Sequence, residues 1–281
     1  MGNKLTKNQQ DILSPTFIYD FGAPVWRMKL DTATDRLALE VRDGDVLLAC
    51  FYSFDCRSFA LAQLNLQQQT VWWQGLEDAQ DGLVFLHGYG DRKLGQHKGI
   101  TARTGDGTQR WEEQELAFYG IGAEGLYAFA VAHPEEGFQL LDLQTGQPKE
   151  ADISQQAAAA AVADFFGARY NKCVYPVLYL EGEPYFLTVQ AFLADRLGVQ
   201  AVKGIEYAET NSCILVSYYL PGAENKLANE VAVFDLEGNL LLSETLAAGL
   251  SGIGSDTFFI FKDSLYFIQN KTILQVYLLP V

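Results

Sequence analysis

Short apolar runs separated by turn residues set the texture of this chain. Thirteen runs of five to nine residues, rich in β-branched and aromatic side chains, stand between Gly, Asp and Asn breaks. They begin at Val25–Leu30, end at Ile273–Leu278, and include Arg36–Val41, Val46–Phe54, Leu83–His87, Val174–Leu180, Tyr185–Val189 and Ile214–Leu220. That is the length and the composition of β-strands. Several runs alternate: Leu37, Leu39 and Val41 fall on one face, and Ala38, Glu40 and Arg42 on the other, as the two-residue period of a strand requires. So many strands with so little helix predict an all-β protein.

One segment departs from the pattern. Asp152-Ile153-Ser154-Gln155-Gln156 leads into five alanines, Val162 and Ala163, with Gly167 just beyond. Helix propensity there predicts one short inserted helix near residues 153–166, with Asp152 or Ser154 as its N-cap and Gly167 in the left-handed position after its end. A low-complexity linker is the alternative reading.

A turn motif recurs. Thr104-Gly105-Asp106-Gly107-Thr108 precedes Trp111, Leu140-Leu141-Asp142 precedes Thr145-Gly146, Val233-Phe234-Asp235 precedes Gly238, and Leu64-Asn65-Leu66 precedes Trp72-Trp73. In each, a short polar side chain can bond the turn backbone and a glycine can supply the positive φ. The tryptophans would then pack between adjacent sheets. Matching positions fall at 65, 104, 142 and 235. The last step, taken as two periods, leaves room for a degenerate copy near Val189. Units of roughly 40 to 46 residues are the period of four-stranded propeller blades. The expectation is therefore a β-propeller of about six four-stranded blades. It is a single domain over residues 14–281, after a flexible N-terminus, residues 1–13, with Phe17–Phe21 completing the last blade.

Composition narrows the function by exclusion. The net charge of −15 and the lack of any basic run argue against nucleic acid and anionic lipid as partners. No run approaches the roughly 18 to 20 apolar residues of a membrane span. The polar start shows no signal peptide, so the cytoplasm is the expected location. Met1-Gly2 with Thr6 matches the short myristoylation pattern, read here as coincidence because the segment has no polybasic partner. Cys50, Cys56, Cys173 and Cys213 include no Cys-x-x-Cys pair and read as buried thiols.

The turn carried best by Leu140, Asp142, Thr145 and Gly146 resembles the repeats of quinoprotein-like and WD40-like propellers. The stretch from Trp72-Trp73 through Gly82-Leu83-Val84-Phe85-Leu86-His87-Gly88-Tyr89 to His97-Lys98-Gly99 resembles a bacterial family, a domain of unknown function with propeller-like repeats. That resemblance implies the fold and no activity. Quinone-dependent relatives of the wider class carry more repeats and an export signal, so no cofactor is expected here.

Candidate chemistry concentrates in residues 87–98, read as a loop joining two strands. It holds two of the three histidines, and functional groups gather on loops held by a rigid scaffold. His87, Tyr89, Asp91, Arg92, His97 and Lys98 are the candidate ligand-binding residues. Across a hairpin His87 and His97 could contact a ligand or, with Asp91, a metal. The alternative is a polar surface loop with His87 bonded to a neighbouring blade, and no metal site is assigned. His133 reads as a hairpin tip, and Glu112, Glu113 and Glu115 as a solvated edge. No nucleophile elbow, phosphate loop or metal-binding helix motif is present. The leading expectation is a non-enzymatic propeller that binds a partner protein or small ligand, which predicts an exposed apolar patch on a flat face. The alternative is an enzyme at the channel mouth acting on a sugar or lactone-like substrate. It predicts a concave pocket containing His87 or His97 with a perturbed titration.

Overall fold

Aspartate-anchored turns fold the chain into antiparallel meanders. The computed structural model describes residues 13–66, 71–91 and 96–281. The expected tail, residues 1–13, falls almost wholly outside the described residues, and so does Arg92. The first strand, β1 (Phe17–Asp20), belongs to a compact unit made with Cys173–Val281, while Ala23–Lys172 form another.

The unit Ala23–Lys172 contains three four-stranded sheets, each pairing strand with next strand. The first is β2 (Val25–Asp31), β3 (Arg36–Asp43), β4 (Leu48–Asp55) and β5 (Leu61–Gln63). The second is β6 (Gly75–Gln80), β7 (Leu83–Asp91), β8 (Gln96–Thr104) and β9 (Gln109–Glu113). The third is β10 (Leu116–Gly122), β11 (Gly125–Ala130), β12 (Phe138–Leu141) and β13 (Pro148–Ile153), followed by helix α1 (Gln155–Arg169).

The sheets pack face to face. Phe51, Leu64, Leu76 and Leu86 fill the space between the first two, and Phe85, Ile100, Trp111, Ile121 and Leu126 the space between the second and third. Tyr127, Leu140 and Ala158 pack α1 onto the third. Leu37, Leu39 and Val41 are buried and so are Ala38 and Glu40, so β3 is covered on both faces.

The other unit holds two five-stranded sheets. Its elements are β14 (Cys173–Val174), β15 (Val177–Leu180), helix α2 (Pro184–Leu197), β16 (Val202–Glu209), β17 (Cys213–Pro221), β18 (Leu227–Asp235), β19 (Leu240–Leu250), β20 (Phe258–Phe261), β21 (Ser264–Gln269) and β22 (Ile273–Leu278). One sheet runs β15 to β19 in order; the other has the order β1-β22-β21-β20-β14. As the pattern at Phe17–Phe21 suggested, Phe17–Asp20 pairs antiparallel with the last strand, Phe17 opposite Val276.

The turn chemistry holds and its register needs one correction. Asp142 Oδ1 accepts the N–H groups of Gln144 and Thr145 at 3.0 Å each, and Gly146 follows at φ +70°. Gly146 also makes room for Trp111: a Cβ there would lie 2.6 Å from Trp111 Cδ2. Trp111 stands between sheets, as expected, and donates Nε1–H to Leu143 O at 2.8 Å. Asp235 accepts Asn239 N at 2.7 Å in the β18–β19 turn. In the first sheet the same duty falls to Asp55, which accepts Arg57 N at 2.9 Å and Ser58 N at 3.0 Å. Asn65 follows β5 and does not hold the equivalent turn.

The expected copy near Val189 is absent because Tyr185–Val189 is not a strand. It begins α2, with Pro184 in the first turn, Gly198 as a left-handed C-cap, and Phe186, Val189 and Leu193 on the buried face. Residues 174–180 split at Pro176 into β14 and β15, in different sheets. The inserted helix forms, capped by Ser154 Oγ accepting Ala157 N at 3.2 Å. It runs through Gly167 to Arg169. Among the described residues the sheets number five, where about six were expected.

Arg169 explains the extension of α1. Its buried guanidinium makes a two-pronged ion pair with Asp78 on β6, at 2.8 and 2.9 Å, and donates to Leu30 O and Ala79 O. No disulfide joins the four cysteines; Cys56 and Cys213 are buried, and Cys50 and Cys173 half-buried. Among the described residues no helix is long and apolar enough to cross a membrane.

Candidate functional site

Gly75 and His87 face each other across β6 and β7. With no side chain on Gly75, the imidazole of His87 lies over it, and a Cβ there would come 2.7 Å from Nε2. His87 is 1% exposed and sits inside β7, not on a surface loop.

Two bulges flank it. The β6–β7 ladder pairs Leu76 with Leu86 but Asp78 with Phe85, so Glu77 is an extra residue. The β7–β8 ladder pairs His87 with Ile100 but Gly88 with Lys98, so Gly99, at φ +82°, is another. A regular ladder would place Lys98 opposite Tyr89, on the face of His87. The bulge pairs Tyr89 with His97 instead, which turns His97 onto that face and Lys98 away from it.

The result is a cluster of three residues. His87 Nδ1 lies 2.7 Å and His97 Nδ1 3.0 Å from one oxygen, Glu77 Oε1. The two imidazoles stack with centroids 3.6 Å apart and planes 13° apart. Burial raises the Glu77 carboxyl, but hydrogen bonds and charge from His87 and His97 outweigh it and hold Glu77 below the ordinary glutamate range. Burial lowers His97, His87 and Arg27 push the same way, and Glu77 offsets them only in part, so His97 sits below a free imidazole.

Beside β6, an edge strand of its sheet, His87 and Gly75 line a cavity of about 320 Å³ with Trp26, Arg27, Arg42 and Trp72. Its wall is braced. Arg42 pairs with buried Glu40, donates to Trp72 O at 2.9 Å and to Gln74 O, and lies 5.0 Å over the Trp72 ring. Glu40 Oε2 accepts Leu76 N at 2.7 Å. Arg27 donates from Nη1 to Leu76 O at 2.8 Å; its other guanidinium nitrogens have no hydrogen-bond acceptor among the described residues. Trp72 and Trp73 lie in a 3₁₀ turn.

Of the expected site residues, His87 and His97 come together. Lys98 does not join them; it pairs with Glu115 at 2.7 Å. Tyr89 and Asp91 belong to β7, where they pair with His97 and Gln96 in the ladder, and Arg92 lies outside the described residues. His133 is an exposed turn residue 3.4 Å from Glu135. Glu77, Arg27 and Gly75 were not legible as site residues. The stretch Gly75-Leu76-Glu77-Asp78-Ala79 holds two adjacent acids, and nothing in it tells Glu77, which meets the histidines, from Asp78, which pairs with Arg169.

The chain is an all-β protein of four- and five-stranded antiparallel sheets with a histidine–glutamate cluster beside a cavity. Residues 30–110 match the family described as Domain of unknown function (DUF4905). The match covers less than half of the chain, includes Glu77, His87 and His97, and agrees with the resemblance seen from Trp72 to Gly99. No curated protein matches.

Among solved structures, BamB from Moraxella catarrhalis matches at 10% identity over 95% of this chain and 100% of its own, with a TM-score of 0.31. Dipeptidyl peptidase 4 of Porphyromonas gingivalis matches at 10% identity over 97% of this chain but 40% of its own, at 0.33. An endo-arabinase from Bacteroides thetaiotaomicron matches at 13% over 97% and 98%, at 0.26. Scores this low leave fold and function to be argued from the chain itself.

Proposed function

We propose that residues 14–281 form a propeller-type binding protein that takes a small ring-bearing anion in the cavity beside His87. The cavity carries the reading. At about 320 Å³ it is at the small end of ligand sites. Arg27 brings a guanidinium with donors to spare, and the two indoles offer flat apolar faces. The other charged groups of the wall, Glu40 and Arg42, are spent on each other and on backbone, which suits a rigid receptor. Support for the propeller comes from sheets that follow one another in sequence and pack face to face within a unit, and from the pairing of β1 with β22.

Thermal unfolding against aromatic carboxylates, sugar acids and nucleoside monophosphates tests the reading. A ligand at about 100 times its dissociation constant stabilises by roughly 2.7 kcal/mol, and the shift should vanish in Arg27→Met and shrink in Trp26→Ala. No shift with any of them argues for a protein partner, which the acidic surface would select to be basic.

A second reading is an enzyme acting on a sugar or lactone-like substrate at the same place. Glu77 with two imidazoles favours it, since these groups can exchange protons with a bound substrate. Turnover of a lactone panel that is lost in Glu77→Gln would promote this reading over the first.

A further inference from the structure

We propose that Glu77, His87 and His97 bind a divalent transition-metal ion of the Zn²⁺ class, through two imidazole nitrogens and one carboxylate oxygen. The inference stands on the cluster itself and does not depend on the ring-anion reading of the adjoining cavity.

Donor type comes first. Two imidazoles and one carboxylate are a donor set that selects zinc or iron over calcium or magnesium, and three protein ligands leave positions open for water or a ligand. Geometry comes second. One donor atom from each of the three residues can be chosen so that all lie within 4.8 Å of one another. A tetrahedral ion with bonds of about 2.0 to 2.1 Å holds its donors about 3.3 Å apart. Glu77 Oε1 now sits 2.7 and 3.0 Å from the two Nδ1 atoms, so each of these two pairs needs to separate by only a few tenths of an ångström.

The parallel rings must also splay so that their lone pairs converge. His87 is pinned over Gly75, whereas His97 is 39% exposed on its side chain and can supply the movement. Arg27 opposes a cation here. The Glu77 carboxylate and the chain's net charge of −15 act in the other direction.

Position in the fold is the third consideration. The bulge at Gly99 is required to put His97 on the face of His87, a face Glu77 shares two residues on from Gly75, and a second bulge at Glu77 interrupts the ladder beside it; bulges recur where a sheet re-aims side chains at functional sites. A hydrophobic continuation would have needed neither, since Phe85, Ile100 and Ala102 extend the same face into the core.

The test is titration of the full chain with Co²⁺ and Zn²⁺, followed by calorimetry, by visible absorption of the cobalt form, and by imidazole NMR. The expected result is one ion per chain. Glu77→Gln and His97→Ala should each weaken it by at least about tenfold, and Lys98→Ala, whose side chain faces away, should leave it unchanged. Because the chain has three histidines, the unmodified protein provides a readout that needs no variant: cobalt should shift or broaden two imidazole signals and spare His133. Absence of stoichiometric uptake overturns the proposal. So does uptake that spares His87 and His97, or uptake undiminished in variants that circular dichroism finds folded.

Discussion

Gly75 and His87 behave as one unit, because the imidazole occupies the volume a side chain at Gly75 would need. Gly75→Ala should therefore push the ring off Glu77 and cost about 1–3 kcal/mol, the usual penalty for overpacking. Urea unfolding measures it, and an unchanged midpoint would contradict the packing described. A second residue-scale prediction concerns Glu206. Its oxygens accept Thr257 N at 3.1 Å, Asp256 N and Thr257 Oγ1. Burial nonetheless dominates those bonds and pushes its carboxyl above the ordinary glutamate value of 4.5. A raised folded pKa means the folded state holds the proton more tightly than the unfolded chain. Its contribution is thus fully present below pH 4.5 and lost as pH rises through the folded value. The stability of wild type minus that of Glu206→Gln should fall across that window and then level off. A difference that rises with pH would reverse the assignment.

At the scale of elements, the β7–β8 hairpin turns on a single inserted residue. Inserting one residue between His87 and Gly88 should give Gly99 a partner and restore the regular ladder, put Lys98 on the face of His87 and swing His97 to the opposite one. The NMR signature of the His97–Glu77 contact should disappear while circular dichroism stays that of a β-protein. Retention of that signature would show that the bulge does not set the register. Element type was largely legible where polar and apolar residues alternate strictly, as in β3, or where capping residues bracket a helix, as Ser154 does for α1. It failed at α2. Tyr185–Val189 is a short run of β-forming residues, and the competing signals, Pro184 in front and Gly198 fourteen residues later, mark a helix only when the whole window is weighed. It also failed at His87–Asp91 and Gln96–Lys98, which read as parts of a polar loop and are the continuations of two strands.

At the scale of the molecule, long-range polar ties join sheets that the hydrophobic pattern alone would only stack. Arg169, at the end of α1, reaches Asp78 on β6 and Leu30 O at the end of β2, and Asp31 accepts Gly82 N at 2.8 Å from the β6–β7 turn. Arg169→Met leaves Asp78 a half-buried carboxylate without its partner, a change that costs about 3–5 kcal/mol for a buried pair. The double variant Arg169→Met/Asp78→Leu should recover much of that loss. Chemical denaturation of the single and double variants checks both, and a double variant no more stable than the single would mean that the backbone acceptors carry the effect.

The strand-dominated class, the aspartate turns with their glycines and the tryptophan between sheets were all readable along the chain. These depend on local propensity and on a two-residue period that any strand of this composition imposes. Which face each histidine takes, that Glu77 joins them and that Lys98 does not are set by long-range pairing. A bulge shifts register by one residue, and one residue is the difference between the two faces of a sheet. No periodicity in the chain records where such a shift falls. It is fixed only when neighbouring strands and the packed core select one ladder over the other.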